Sequence, residues 1–275
     1  TGQLLYHYTT VEGAAAILRS NAIRLSEFSM MNDSSEYKYA RSKFVEAYQT
    51  REVWVEEVPR YMANIQLNTH EPATTMMIGC LTEDHDDIGL WDRYADGGQG
   101  CVLGIDANWL FENAGVAVRR ICYDEEYIKQ FVNSGLAMLQ EQFEDDPDNR
   151  DELENLATMF VLDLYAFKDP RFRSEKEVRV SRLTVADTTA KFGLIDVGGH
   201  KSDGSAVQPL TIQQREGRYG PTRFVKLPLS DANLKSAIRS VGFGPKFQNE
   251  NEQNLKDAAG SESNIDFWGS GAPLR

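Results

Sequence analysis

An α+β fold, with a mainly antiparallel sheet arrangement forming a cleft and helices grouped at its side, is what the sequence predicts. Three observations predict it. Strand-like runs gather towards both ends of the chain, helix-like runs group between them, and no Pro- or Gly-rich linker divides the two. Alternating βαβ units do not occur. A single domain over residues 1–275 follows, with a helical insertion at about 124–168.

The first strand, residues 3 to 8, contains "LLYHYTT" (4 to 10), in which His7 interrupts an otherwise apolar run. A helix from about 10 to 20 comes next: Thr9 with Glu12 makes a capping-box pattern, Ala14, Ile17 and Leu18 give an apolar stripe, and Asn21 is a stop. "AIRLS" (22 to 26) alternates as a strand does. Asp33, with Glu36 three residues on, opens a second helix. "MMIGCL" (76 to 81) and "GCVLGID" (100 to 106) read as buried strands, separated by a polar, aromatic-bearing loop. "VRRICY" (118 to 123) is a further strand before the acidic helical insertion, which breaks at "DDPDNRD" around Pro147. Strands return at 176–183, 193–197, 222–229 and 238–244, with the Gly- and Ser-rich loop "GGHKSDGSAVQ" among them. "NENEQNLKDAAGS" reads as a short polar helix.

The net charge is −13. Phosphate affinity comes from clustered Lys and Arg, so this balance excludes broad, salt-driven nucleic-acid binding and leaves room only for a local basic cleft. Arg171, Arg173, Lys176 and Arg179 are the cluster that offers one. No run of about 18 apolar residues suggests a membrane span or a membrane partner, and the first residues lack the layout of a secretory leader. Cys80, Cys101 and Cys122 are odd in number and have no CxxC pairing, which reads as buried thiols in a reducing cytoplasm.

Phosphate-loop, dinucleotide-loop, zincin and nucleophile-elbow motifs are all absent. His7, His70, His85 and His200 have no metal-ligand spacing. "His85, Asp86, Asp87" offers a weak cation site or, more plainly, a solvated loop, so no metal is expected. The densest chemistry is "SEKEVRV" (174 to 180). On a strand, Glu175, Glu177, Arg179 and Ser181 would share one face, either as a solvent-facing ion-pair ladder on an edge strand or as part of a site. "LWDRYADGGQG" (90 to 100) sets Trp91, Arg93 and Tyr94 before a Gly-rich stretch. Rings and a guanidinium there suit a flat anionic ligand such as a nucleotide, or else pack as a lid. His7 is likewise either a core histidine with a backbone partner or a ligand-facing imidazole.

The blocks "LYHYT", "LSEFSMMNDSSEY", "CLTEDHDDIGLWDRYADGGQGCVLGID", "FKDPRFRSEKEVRV" and "APLR" together resemble a large bacterial family described as domain of unknown function 2971. More distantly, the layout is similar to ADP-ribosyltransferases, which cleave NAD and pass on its ADP-ribose. That resemblance implies NAD as substrate and a catalytic set of His7, Tyr94, Glu175 and Glu177. It also implies cofactor contacts from His7, Tyr8, Thr9, Ser26, Trp91, Arg93 and Arg179. The glutamate position falls on Glu177, with Glu175 completing a Glu-x-Glu arrangement; the middle position falls on Ser26 or Tyr94. His7 would hold the adenosine ribose, and Arg93 or Arg179 the pyrophosphate. The acceptor would be a protein or a nucleic acid. Such chemistry suits a toxin, effector or phage-defence protein, for which an antitoxin or regulator would be the partner. The alternative is a nucleotide-sensing or protein-binding module without catalysis.

Overall fold

The computed structural model describes residues 3–28, 39, 42–46, 74–217, 220–231, 235–260 and 264–273. The helix expected at Asp33 and Glu36 lies outside them. Strand β1 (Leu4–Thr9) leads into helix α1 (Val11–Ser20) and strand β2 (Ala22–Glu27). Thr10, not Thr9, caps α1 by accepting from the Gly13 N–H. Thr9 is still paired with Cys101 in the sheet, so the helix starts one residue later than the capping-box pattern implies. Asn21 ends it in the left-handed region, as a short polar side chain tolerates.

Strand β3 (Thr74–Thr82) follows, then helix α2 (Ile88–Tyr94) inside the segment expected to be loop, strand β4 (Cys101–Asp106), helix α3 (Ala107–Asn113) and strand β5 (Ala117–Arg120). The insertion is a helical hairpin, α4 (Glu125–Asp145) and α5 (Arg150–Leu164), broken around Pro147 as the sequence implies. Strands β6 (Glu177–Ala186), β7 (Leu194–Asp196), β8 (Gly199–His200), β9 (Ala206–Val207), β10 (Gln213–Gly217), β11 (Gly220–Pro228) and β12 (Ile238–Phe243) come next. Helix α6 (Glu252–Ala259) and strand β13 (Asp266–Gly269) follow.

The fold is α+β, with one large sheet ordered β10-β11-β2-β3-β1-β4-β12-β13 and a branch from β3 through β6 to β5 and β7. Its pairings are antiparallel except β12–β13. The branch point decides where the site lies. Along one edge, β3 pairs with β6 from Thr74↔Val185 to Thr82↔Glu177. Its other edge is shared: β2 takes Met77 and Ile78, and β1 takes Thr82. Both β1 and β2 run antiparallel to β3 and would compete for residues 79–81, so both lift away and the sheet forks. The core fills the face under α1 with Leu5, Ile23, Leu25, Leu103, Ile105 and Val180 among others. A second cluster, including Ile128, Val132, Leu136, Ala157 and Phe160, holds the hairpin together.

Candidate functional site

A cavity of about 740 Å³ opens in the fork, within the range of small-molecule sites. His7, Tyr8 and Thr9 from β1, Ser26 from β2, Tyr94 from α2, and Glu175 and Glu177 all line it. His7 is half-buried in that lining. Its Nδ1 lies 3.1 Å from the carbonyl oxygen of Cys80 on β3. A carbonyl can only accept, so Nδ1 carries the hydrogen and Nε2 is the ring's uncommitted nitrogen. Burial pushes the imidazole below its ordinary 6.5, only partly opposed by that bond, and favours the neutral ring. The imidazole therefore both bonds to the β3 backbone and lines the cavity.

Glu177 opens β6 and Glu175 ends the preceding 3-10 turn, Pro170–Glu175. The expected strand face is corrected here. Lys176 is left-handed (φ 42°), so β6 begins only at Glu177 and Glu175 is not an alternating strand position. The solvent-facing ladder is also ruled out, because β6 has partners on both edges and Glu175, Glu177 and Arg179 are 3–4 % exposed. Thr82 fixes the turn to β3 by donating to the Glu175 carbonyl (2.7 Å), and the Glu177 N–H donates to the Tyr123 hydroxyl (3.0 Å).

Two buried carboxylates need compensation, and Lys168 supplies it. Its Nζ donates to Glu175 Oε2 at 2.6 Å and to Glu177 Oε2 at 2.8 Å, from a residue 3 % exposed. Arg179 Nε donates to Glu177 Oε1 at 2.6 Å. Burial alone would raise the Glu177 carboxyl, but Arg179 and Lys168 outweigh it and hold the group at about 2. Glu175 Oε1 accepts from the Tyr94 hydroxyl (2.9 Å) and pairs with Arg93 (3.3 Å). Burial first, then the Glu175 charge, pushes the Tyr94 phenol up, so it remains a donor.

Three expected ligand contacts stand apart from the cavity lining. Trp91 is fully buried against Tyr8, with its Nε1–H donating to Asp86 at 2.7 Å, so its ring has no face for a ligand. Arg93 and Arg179 spend their guanidinium groups on Glu175 and Glu177. The other members of the expected basic cluster are also engaged. Arg171 pairs with Asp169, Lys176 with Asp84, and Arg173 donates to the Tyr123 carbonyl. Asp86 and Asp87 are structural: Asp87 caps α2, while Asp86 accepts from Ser270 and Gly271 and fastens the C-terminal segment. Among the described residues no cluster of His, Cys, Asp or Glu could hold a metal ion. Nor is any helix there long and apolar enough to cross a membrane. Cys80, Cys101 and Cys122 are free thiols, and burial pushes Cys101 up to about 12.

Lys168 is the residue that sequence reasoning missed. Its signal was a lysine between the apolar run "LYAF" and Asp169-Pro170, a few residues before two glutamates that become buried.

A family model described as a protein of unknown function (DUF2971) matches residues 90–180. That span carries Tyr94, Lys168, Glu175, Glu177 and Arg179, while the β1 and β2 walls lie outside it. No curated protein and no solved structure matches the chain.

Proposed function

We propose that the forked cleft is the active site of an NAD-consuming enzyme that breaks the nicotinamide–ribose bond and passes ADP-ribose to a macromolecule or to water. The observation that carries this reading is that His7 and Glu177, from strands far apart in the chain, line one cavity of dinucleotide-compatible size. The likeness to ADP-ribosyltransferases in the first-strand histidine and the Glu-x-Glu pair points the same way.

The chemistry follows from the groups present. As the bond from the ribose C1′ to the pyridinium nitrogen breaks, its electron pair goes to that nitrogen and neutral nicotinamide leaves. Positive charge grows on the ribose, as in glycoside cleavage. A carboxylate that stays ionised down to about pH 2 suits an electrostatic stabiliser rather than a proton acceptor, and Glu177 is that group. Lys168 and Arg179 fix its two oxygens, so little reorganisation is needed when charge develops. The nucleophile's lone pair forms the new bond to C1′, and its proton passes to Glu175, through the Oε1 oxygen that Tyr94 and Arg93 hold. His7 offers Nε2 as a hydrogen-bond acceptor to a ribose hydroxyl.

One observation favours binding without turnover: each carboxylate already has cationic partners, as in a structural network. Nicotinamide release separates the two readings. The wild-type chain, supplied with NAD and mixed macromolecular acceptors, is expected to release nicotinamide, and Glu177→Gln to lose at least about a hundredfold in rate, as when a preorganised electrostatic partner is removed. NAD binding without release, unchanged in Glu177→Gln, would establish the sensing module instead.

A further inference from the structure

One wall of the cleft is built from the adjacent strands β10, β11 and β2. Its cavity-lining positions are Ala22, Arg24, Ser26, Arg215, Gly217, Thr222 and Lys226. Three of the seven are cations and none is an anion, in a chain of net charge −13. Arg24 and Lys226 are directly opposed in the β2–β11 register. Like charges in that relation are destabilising, with Cβ atoms roughly 5 Å apart. No carboxylate lies within ion-pair distance of Arg24, Lys226 or Arg215 among the described residues, whereas Arg93, Arg171, Lys176 and Arg179 all have one. Arg24 is steadied from the side by the Phe224 ring, 5.3 Å from its guanidinium carbon. Arg215 pairs with Thr222, four residues before Lys226 on β11, and so lies roughly 13 Å along the same wall.

Arg24 and Lys226 are exposed, like-charged and without a carboxylate partner among the described residues, and an anion between them would offset their repulsion. We infer that Arg24 and Lys226 form a phosphate subsite, and that it takes the pyrophosphate of the dinucleotide, with Arg215 flanking it. This assignment rests on the NAD reading of the cleft and replaces Arg93 and Arg179 as the pyrophosphate grip. Ser26 adds a hydroxyl donor on the same wall. The division of labour is electrostatic: cations with no carboxylate partner among the described residues hold the phosphates, and cations paired with carboxylates set the charge of Glu175 and Glu177.

The test is calorimetric titration of the full chain with inorganic pyrophosphate and with ADP-ribose, at low and at physiological salt. Both are expected to bind, more weakly as salt rises. Arg24→Gln and Lys226→Gln should each weaken binding roughly tenfold or more, as the loss of a charge-assisted hydrogen bond implies. Arg215→Gln should cost less. The unliganded melting temperature should stay level or rise in Arg24→Gln and Lys226→Gln, because a repulsion is removed. Unchanged affinity, or affinity lost together with a fall in melting temperature, would overturn the subsite. So would displacement of pyrophosphate by a short single-stranded oligonucleotide at lower concentration than by ADP-ribose, which would reassign the wall to nucleic-acid phosphate. The NAD reading fails separately: pyrophosphate binding without nicotinamide release leaves the subsite standing, and release with unweakened Arg24 and Lys226 variants does the reverse.

Discussion

At the scale of single residues, the site depends on one buried ammonium. Lys168 Nζ bridges Glu175 and Glu177 at 2.6 and 2.8 Å, and all three side chains are nearly inaccessible. Removing one member of a buried ionic network leaves uncompensated charge and costs about 3–5 kcal/mol. Lys168→Met is therefore expected to lower the melting temperature by roughly 10 °C. Neutralising one carboxylate as well, in Lys168→Met with Glu175→Gln, should recover part of that loss. A Lys168→Met melting curve that overlays wild type would show that the ammonium does not hold the pair. His7 and Glu177 were legible in the sequence because an imidazole in an apolar strand and a dense Glu-x-Glu-x-Arg run stand out locally. Lys168 was not, because a lysine at the end of an amphipathic helical stretch reads as solvated until the burial of its partners is known. Trp91 misled for the same reason: its indole N–H finds Asp86, and that bond turns a ring expected over a ligand into core.

At the scale of elements, local pattern located most strands and both helices of the insertion, while long-range pairing decided the cleft. Nothing within "LLYHYTT" or "AIRLS" says that β1 and β2 compete for one edge of β3, nor that Arg24 and Lys226 meet across a ladder. Register is a property of two strands at once. The insertion shows the same limit in its packing. Gly135 lies in the interior of α4, where glycine costs about 1 kcal/mol relative to alanine. The structure explains it: a Cβ at Gly135 would lie 2.2 Å from the Phe160 ring of α5. Gly135→Ala, which stabilises an ordinary exposed helix, is expected to destabilise this one by about 1–3 kcal/mol through overpacking. Gly135→Ala with Phe160→Leu should relieve the clash. Urea unfolding of both variants checks the sign, and a Gly135→Ala chain more stable than wild type would contradict the packing described.

At the scale of the whole molecule, charge is sorted rather than spread. Residues 124–164 hold 12 acidic and 2 basic side chains, so that the hairpin carries −10 of the net −13 and the rest of the chain only −3. Net charge read from the sequence argues against general nucleic-acid affinity but hides a cationic cleft wall. The pH dependence of stability combines both kinds of group, and its sign can be worked out for the two that line the cleft. His7 has its folded pKa lowered from 6.5, so the unfolded chain binds the proton more readily; its contribution is complete above about 6.5 and is lost as pH falls below it. Glu177 has its folded pKa lowered from 4.5 to about 2; its contribution is complete above about 4.5 and disappears as pH falls towards 2. Each group can impose a slope of at most about 1.4 kcal/mol per pH unit. Protonation of the hairpin carboxylates relieves self-repulsion over part of the same range, so differences between variants and wild type are the measurement that isolates each group. Denaturant unfolding from pH 7.5 to 3 is expected to show His7→Gln losing the slope below pH 6.5 while keeping the acid limb. Glu177→Gln should keep the upper slope and flatten the limb below 4.5. Wild-type slopes in both variants would mean that neither side chain is buried at the fork as its partners require.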